Sequence, residues 1–362
     1  MALSNLFSTL RTIVVLGMGA ATAQPRPNLT ALVFPSVNHR TAYGLITGVG
    51  GDGTPISTAA RSDNNLQNWT SLYVARQGDY QHVKRLVVHP DLVDTVFAVV
   101  PRAEGGLYRS VDSGRTWRPA VMGLPAGGEI EELFIARGTA EVVTLRIGDE
   151  LYRSAGPPRT WLRVSALPAG TTALTFDPAD SRRAALVASG RFFRSADGGE
   201  TWQVQSVLGS DPGLIAREIT FDPKDRRVVF LTFGVPADAC RSASGGIWRS
   251  LDAGEHFTSV FSWPGCNEIP QLFIDPVRPR VYIGSGGECF SIDSGASFDC
   301  YKGPAPILAG SVIGMDPRNG DLYRTGLTHT STDGMASWRN LEARFVPTLR
   351  NYPAATIEVN ED

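Results

Sequence analysis

The chain has little with which to cross a membrane, grip a nucleic acid or hold a metal. Its early apolar run, residues 12–20, is about nine residues long, against the roughly twenty a spanning helix needs, and nothing later is long enough either. Lysine is nearly missing: Lys84, Lys224 and Lys302 are the only three, arginine makes up the rest of 34 basic residues, and 36 acidic residues leave a net charge of −2. Without a concentrated basic surface, a phosphate backbone is excluded as the main partner. The four cysteines form no CxxC pair, and the five histidines, His39, His82, His89, His256 and His329, show no ligand spacing. No metal and no cofactor are therefore expected. Helical periodicity is almost absent as well, which leaves an all-β chain.

What is present is punctuation. Residues 110–117 read Ser-Val-Asp-Ser-Gly-Arg-Thr-Trp, and residues 195–202 repeat the pattern as Ser-Ala-Asp-Gly-Gly-Glu-Thr-Trp. In this Ser-x-Asp-x-Gly-x-Thr-Trp turn, Ser110, Asp112, Gly114 and Trp117 match Ser195, Asp197, Gly199 and Trp202. The Asp accepts backbone N–H groups of its own loop, the Gly supplies a positive φ, Ser and Thr add side-chain to backbone bonds, and the aromatic is buried under a neighbour. A carboxylate saturated in this way is a poor base, so these aspartates are read as turn formers. Further copies carry Asp252 and Gly254, then Asp293 and Gly295, then Asp333 and Trp338, while residues 62–69 and 154–161 are eroded. The starting serines at 62, 110, 154, 195, 250, 291 and 331 lie 48, 44, 41, 55, 41 and 40 residues apart.

Each repeat divides into four short strands with the turn between the third and fourth, and first strands often end in Asp-Pro, where proline stops the ladder. One such sheet cannot cover its own faces, so the units must stack on one another. The expectation is a seven-bladed β-propeller of four-stranded antiparallel blades over residues 24–345. Residues 1–23 have the form of a signal peptide, with Arg11 before the apolar run and Ala21-Thr22-Ala23 as a cleavage triplet. Removing Arg11 takes the charge from −2 to −3, and the chain is expected to be exported, periplasmic or extracellular, with no transmembrane segment when mature. The tail, 346–362, either adds an edge strand or leaves ring closure to the segment after the signal. In an exported chain the cysteines are expected to pair as Cys289 with Cys300, which face each other across a hairpin, and Cys240 with Cys266. A zinc site is the competing reading, with only His256 nearby.

These turns, together with the Tyr-Arg-Ser and Phe-Arg-Ser approaches to them, resemble the Asp-box or BNR-repeat propellers. Within these the likeness is to the sortilin and xyloglucanase branch, to sialidases, and in size to seven-bladed photosystem II assembly factors. The resemblance implies the fold and is nearly silent on function. A sialidase would imply an Arg-Ile-Pro signature, which is lacking, and a xyloglucanase would imply two facing propellers with one catalytic Asp from each, whereas here there is one ring.

A site is expected on the loops opposite the turns. The long ones are 48–55, which is Gly-rich but lacks a phosphate-cradle ending, 208–217 with Asp211 and Arg217, and 234–246 with Asp238 and Arg241. Blade connections add Asp79, Tyr80, His82, Glu131, Trp263, Asn267 and Glu268. Trp263 or Tyr80 would stack a sugar, and a hydrolase would need two carboxylates about 5–10 Å apart. No catalytic set is recognisable, so the expected role is to bind a protein or a glycan through this loop-rich face. The alternatives are a glycoside hydrolase or lyase working at the channel, and an oligomeric structural protein.

Overall fold

The computed structural model describes residues 28–35, 40–49, 55–64, 66, 68–72, 74, 82–138, 141–156, 160–208, 215–234, 245–263, 271–283, 289–300, 312–324, 329–332, 339–340 and 356–358. They form seven antiparallel sheets, each a meander of four consecutive strands, with one short 3₁₀ turn, Arg102–Glu104, as the only helical element among the described residues. The blades cover 28–72, 85–119, 130–166, 171–207, 215–263, 272–300 and 312–340. First strands of successive blades pack against one another, as Thr171–Asp177 does on Ile215–Phe221, so they line the axis of a seven-bladed propeller.

The core is divided among the blade interfaces. One cluster joins Phe97, Val99 and Leu107 of blade 2 to Leu133, Val143 and Leu145 of blade 3; another joins Phe192 of blade 4 to Ile219 and Leu231 of blade 5. Trp69 and Trp161, the closing aromatics of the two eroded turns, are 0% and 2% exposed, and each such burial stabilises by roughly 1.5–3 kcal/mol. Trp161 also donates its indole N–H across the interface to the Ala120 carbonyl at 2.7 Å.

The turns have a common geometry. Ser110 Oγ donates to Asp112 Oδ1 at 2.7 Å and accepts the Gly114 N–H at 2.7 Å, and the same two bonds, at 2.7 and 2.7–2.8 Å, recur from Ser195, Ser250 and Ser291. Asp112 Oδ1 also accepts the Thr116 N–H at 2.8 Å, and the Thr116 hydroxyl donates to Oδ2 at 2.5 Å, so threonine serves the carboxylate and not the backbone. Two successive residues are left-handed in each turn, Ser113 and Gly114 at φ 62° and 85°, Ala253 and Gly254 at 63° and 96°. The glycine is needed for a second reason: a Cβ on Gly114 would lie 2.7 Å from Leu72 Cδ1, and one on Gly199 2.8 Å from Leu151 Cδ1, both in the preceding blade. In the eroded turn at Ser62, Leu66 takes the glycine's place at φ 72°, and its N–H still bonds Ser62 Oγ at 3.0 Å. Arg61 and Arg153, each just before a turn serine, donate to the carbonyls of Ser113 and Gly198 at the fourth position of the next blade's turn.

Blade 7 meets blade 1 face to face, with Phe34 and Tyr323 at 5.1 Å between ring centroids. Thr356–Glu358 pairs antiparallel with Asn68–Leu72 as a fifth strand on the outer edge of blade 1. Cys289 and Cys300 are cross-strand neighbours joined by a disulfide, as the hairpin spacing predicts. Cys240 and Cys266 lie outside the described residues, as do Asp333 and Trp338. No helix among the described residues is long and apolar enough to cross a membrane.

Candidate functional site

Inner strands carry a recurrent β-bulge near their starts, at Leu29/Ala31, Thr171/Ala173, Ala216/Glu218 and Val312/Gly314, and in blade 3 opposite Arg146/Ile147. The extra residue is thus Thr30, Thr172, Arg217, Ile313 and Glu131 in those blades. A bulge re-aims the side chain it inserts, and Thr30, Glu131, Thr172 and Arg217 are all exposed. Two of the expected rim residues, Glu131 and Arg217, therefore occupy one structural position in blades 3 and 5.

Around Glu131 the charges are paired. Arg146 Nε is 3.2 Å from Glu131, while its two other nitrogens are 3.8 Å from Glu132 and from Asp149. Burial pushes the Glu132 carboxyl up, against the pull of Arg146 and Arg85. His82 Nδ1 is 2.6 Å from Glu104, and Glu129 accepts from Lys84 Nζ at 2.9 Å and from the Arg102 N–H at 3.1 Å. The Lys84 bond, then that N–H, hold Glu129 below the usual carboxylate range. Trp263 ends the outer strand Thr258–Trp263 opposite Gly245. Its side chain, and Asp79, Tyr80, Asp211, Asp238, Arg241, Asn267 and Glu268, lie outside the described residues.

The turn aspartates are spoken for by their own loops. In Asp197 the Thr201 hydroxyl leads the bonds that bring the carboxyl down to about 2, against partial burial. In Asp112 burial is the largest influence and acts upward, yet bonds from Thr116, Ser110 and the Arg115 N–H together also bring it to about 2. Asp252, Glu255 and His256 place one ligand atom each within 4.8 Å of one another. Asp252 is already engaged there, taking the His256 N–H at 2.9 Å and the imidazole at 2.7 Å.

A feature that the sequence reading misses lies on the channel wall. Inner strands of blades 3, 4 and 5 enclose a cavity of ≈ 330 Å³ lined by Phe134, Phe176, Asp177, Glu218, Thr220 and Phe221 among others. Phe134 and Phe176 lie 5.0 Å apart, tilted by 45°. Asp177 turns the Asp-Pro corner: its Oδ1 accepts the Ala179 N–H at 2.9 Å, and its Oδ2 has Arg183 and Arg226 nitrogens at 3.4 and 3.6 Å. Glu218 Oε2 accepts the Leu272 N–H of blade 6 at 3.1 Å. Burial pushes its carboxyl up to about 7, with the Leu272 N–H and the Thr220 hydroxyl pulling weakly the other way. The only signal for this in the sequence is an acidic residue in the middle of the strand Ile-Ala-Arg-Glu-Ile-Thr-Phe.

No protein-family model matches the chain. A xyloglucanase of a Paenibacillus species is 25% identical over 252 residues, 62% of this chain and 22% of that protein. The xyloglucanase Xgh74A of Acetivibrio thermocellus is 27% identical over 187 residues, 47% of this chain and 19% of that protein. The chain thus spans about a fifth of the length of these curated relatives. Among solved structures, YCF48 bound to a D1 peptide superposes with a TM-score of 0.58 at 13% identity, over 93% of this chain and 95% of that one. The chain is a seven-bladed β-propeller, similar in part of its sequence to xyloglucanases and similar in fold to YCF48.

Proposed function

We propose that this chain is an exported Asp-box propeller that works as a binding or assembly module, taking a protein or a glycan on the face that carries the blade connections. The observation that carries the reading is the state of the carboxylates. Among the described residues of that face, Glu131 and Glu132 are spanned by Arg146, Glu129 by Lys84, and Glu104 by His82. Such a surface of paired charges recognises a partner and offers no separated acid and nucleophile. The bulge residues Glu131 and Arg217 supply opposite charges at matching positions, and the Cys289–Cys300 disulfide fits an oxidising compartment beyond the cytoplasm.

A second reading, a glycoside hydrolase at the channel, is favoured by the xyloglucanase relatives and by Glu218, which holds a proton near neutrality and lines the same cavity as Asp177. Immobilised full-length chain exposed to glycan and peptide arrays separates the two. The binding reading expects a ligand retained unchanged and released by the double change Glu131→Ala, Arg217→Ala. Glycan cleavage that survives this double change and is lost with Glu218→Gln would replace it by the second.

A further inference from the structure

We propose that the cavity between the inner strands of blades 3, 4 and 5 is a binding site for a single neutral polyhydroxylated ring, a monosaccharide or a terminal sugar residue, held by Asp177, Glu218 and Thr220 against Phe134 and Phe176. The site goes beyond the loop-face reading, because every group it uses lies on the channel wall, toward the Asp-Pro corner.

Size comes first. At ≈ 330 Å³ the cavity sits at the lower end of the roughly 300–1,000 Å³ range of small-molecule sites, which suits one ring and not an oligosaccharide. Its chemistry is amphipathic in the way a sugar is. Phe134 and Phe176, 5.0 Å apart, offer aromatic surface to the C–H face of a ring, and Phe221 extends it.

Asp177 supplies an unmet demand. Its side chain is 4% exposed, and its Oδ2 accepts no hydrogen bond although it is buried on the cavity wall. A buried carboxylate oxygen without a donor is costly, and a ligand hydroxyl would remove that cost. Arg183 and Arg226, at 3.4 and 3.6 Å, stand close enough to balance its charge without bonding it. Those arginines disfavour a cationic ligand, and the Asp177 carboxylate disfavours an anionic one. Glu218, protonated up to near neutral pH, adds a donor, and Thr220 adds a hydroxyl of either sense. Hydroxyl groups, which both donate and accept, meet all three.

The test is titration of the full chain with D-glucose, D-galactose and D-xylose separately, followed by ligand-observed NMR or calorimetry. At least one sugar is expected to bind saturably at one site. Asp177→Asn keeps the acceptor for the Ala179 N–H and is expected to weaken binding about tenfold or more, as losing a hydrogen bond to a buried charge should. Thr220→Val is expected to weaken it several-fold. Asp222→Asn, the equivalent corner one blade on, which accepts the Lys224 N–H at 2.7 Å and faces no part of this cavity, is expected to leave it unchanged. Absence of saturable binding in the millimolar range would overturn the proposal. So would equal losses for Asp177→Asn and Asp222→Asn, or full affinity retained in both Asp177→Asn and Thr220→Val.

Discussion

Asp177 and Glu218 line one cavity from neighbouring blades but keep different company. Asp177 has two guanidinium groups within 3.6 Å, whereas Glu218 has, among the described residues, no cation but the Leu272 N–H and the Thr220 hydroxyl in a buried setting. The channel wall therefore holds one acidic side chain beside two cations and one whose proton is held up to about pH 7.

A pH dependence of stability follows for Glu218. Its folded pKa, about 7, exceeds the unfolded value of 4.5, so the folded state binds the proton more tightly. Stability from this group is full below about pH 4.5 and is lost as the pH rises through about 7. Glu218→Gln should flatten the urea midpoint between pH 4.5 and 8. An unchanged slope would contradict the assignment.

The turn aspartates run the other way. Asp112 and Asp197 are held at about 2, below their value of 3.8, so their contribution is present above pH 4 and is lost as the pH falls through about 2. Asp197→Ala should remove part of the acid limb of the unfolding profile and lower stability at neutral pH. Equal acid sensitivity in wild type and variant would count against the turn as a stabilising unit.

How much of this could be read beforehand depended on whether the cause was local. Ser110, Asp112, Gly114 and Trp117 sit within eight residues and satisfy one another, so their spacing alone predicts the turn. Cys289 and Cys300 are legible for the same reason, since a hairpin of known length puts them opposite each other. The cavity has no local cause. Phe134, Asp177 and Glu218 lie about one blade apart in sequence and come together only when three sheets stack, and nothing in any single strand marks them. The bulges at Glu131 and Arg217 are equally hidden, because an inserted residue leaves the alternation of a short strand ambiguous. Leu66 is the reverse case: a turn that looks eroded keeps its hydrogen bonds because burial under Trp69 offsets the strain of a left-handed leucine.

Packing at the blade interface predicts the cost of filling a turn glycine. Gly199 has a φ of 90°, and a Cβ there would lie 2.8 Å from Leu151 Cδ1. Gly199→Ala should cost ~1–3 kcal/mol by denaturant unfolding, from backbone strain and overpacking together. Gly127→Ala, where nothing lies within 4 Å, should stay within about 0.5 kcal/mol.

Removing the cross-strand bridge should also be felt. The Cys289–Cys300 disulfide closes a separation of 11 residues around the blade 6 turn. Changing both cysteines to serine is expected to cost about 2–4 kcal/mol, seen as a lower thermal midpoint that reductant does not lower further through this bridge. A midpoint equal to wild type would show that the hairpin holds without it.

The most direct test of a binding propeller is to follow one sample of the full chain with xyloglucan, measuring the retained complex and the released reducing ends together. The account predicts a saturable complex, weakened by Glu131→Ala with Arg217→Ala if the glycan sits on the loop face, and reducing ends at the level of the protein-free control. Reducing ends that accumulate with time and disappear in Glu218→Gln would contradict it.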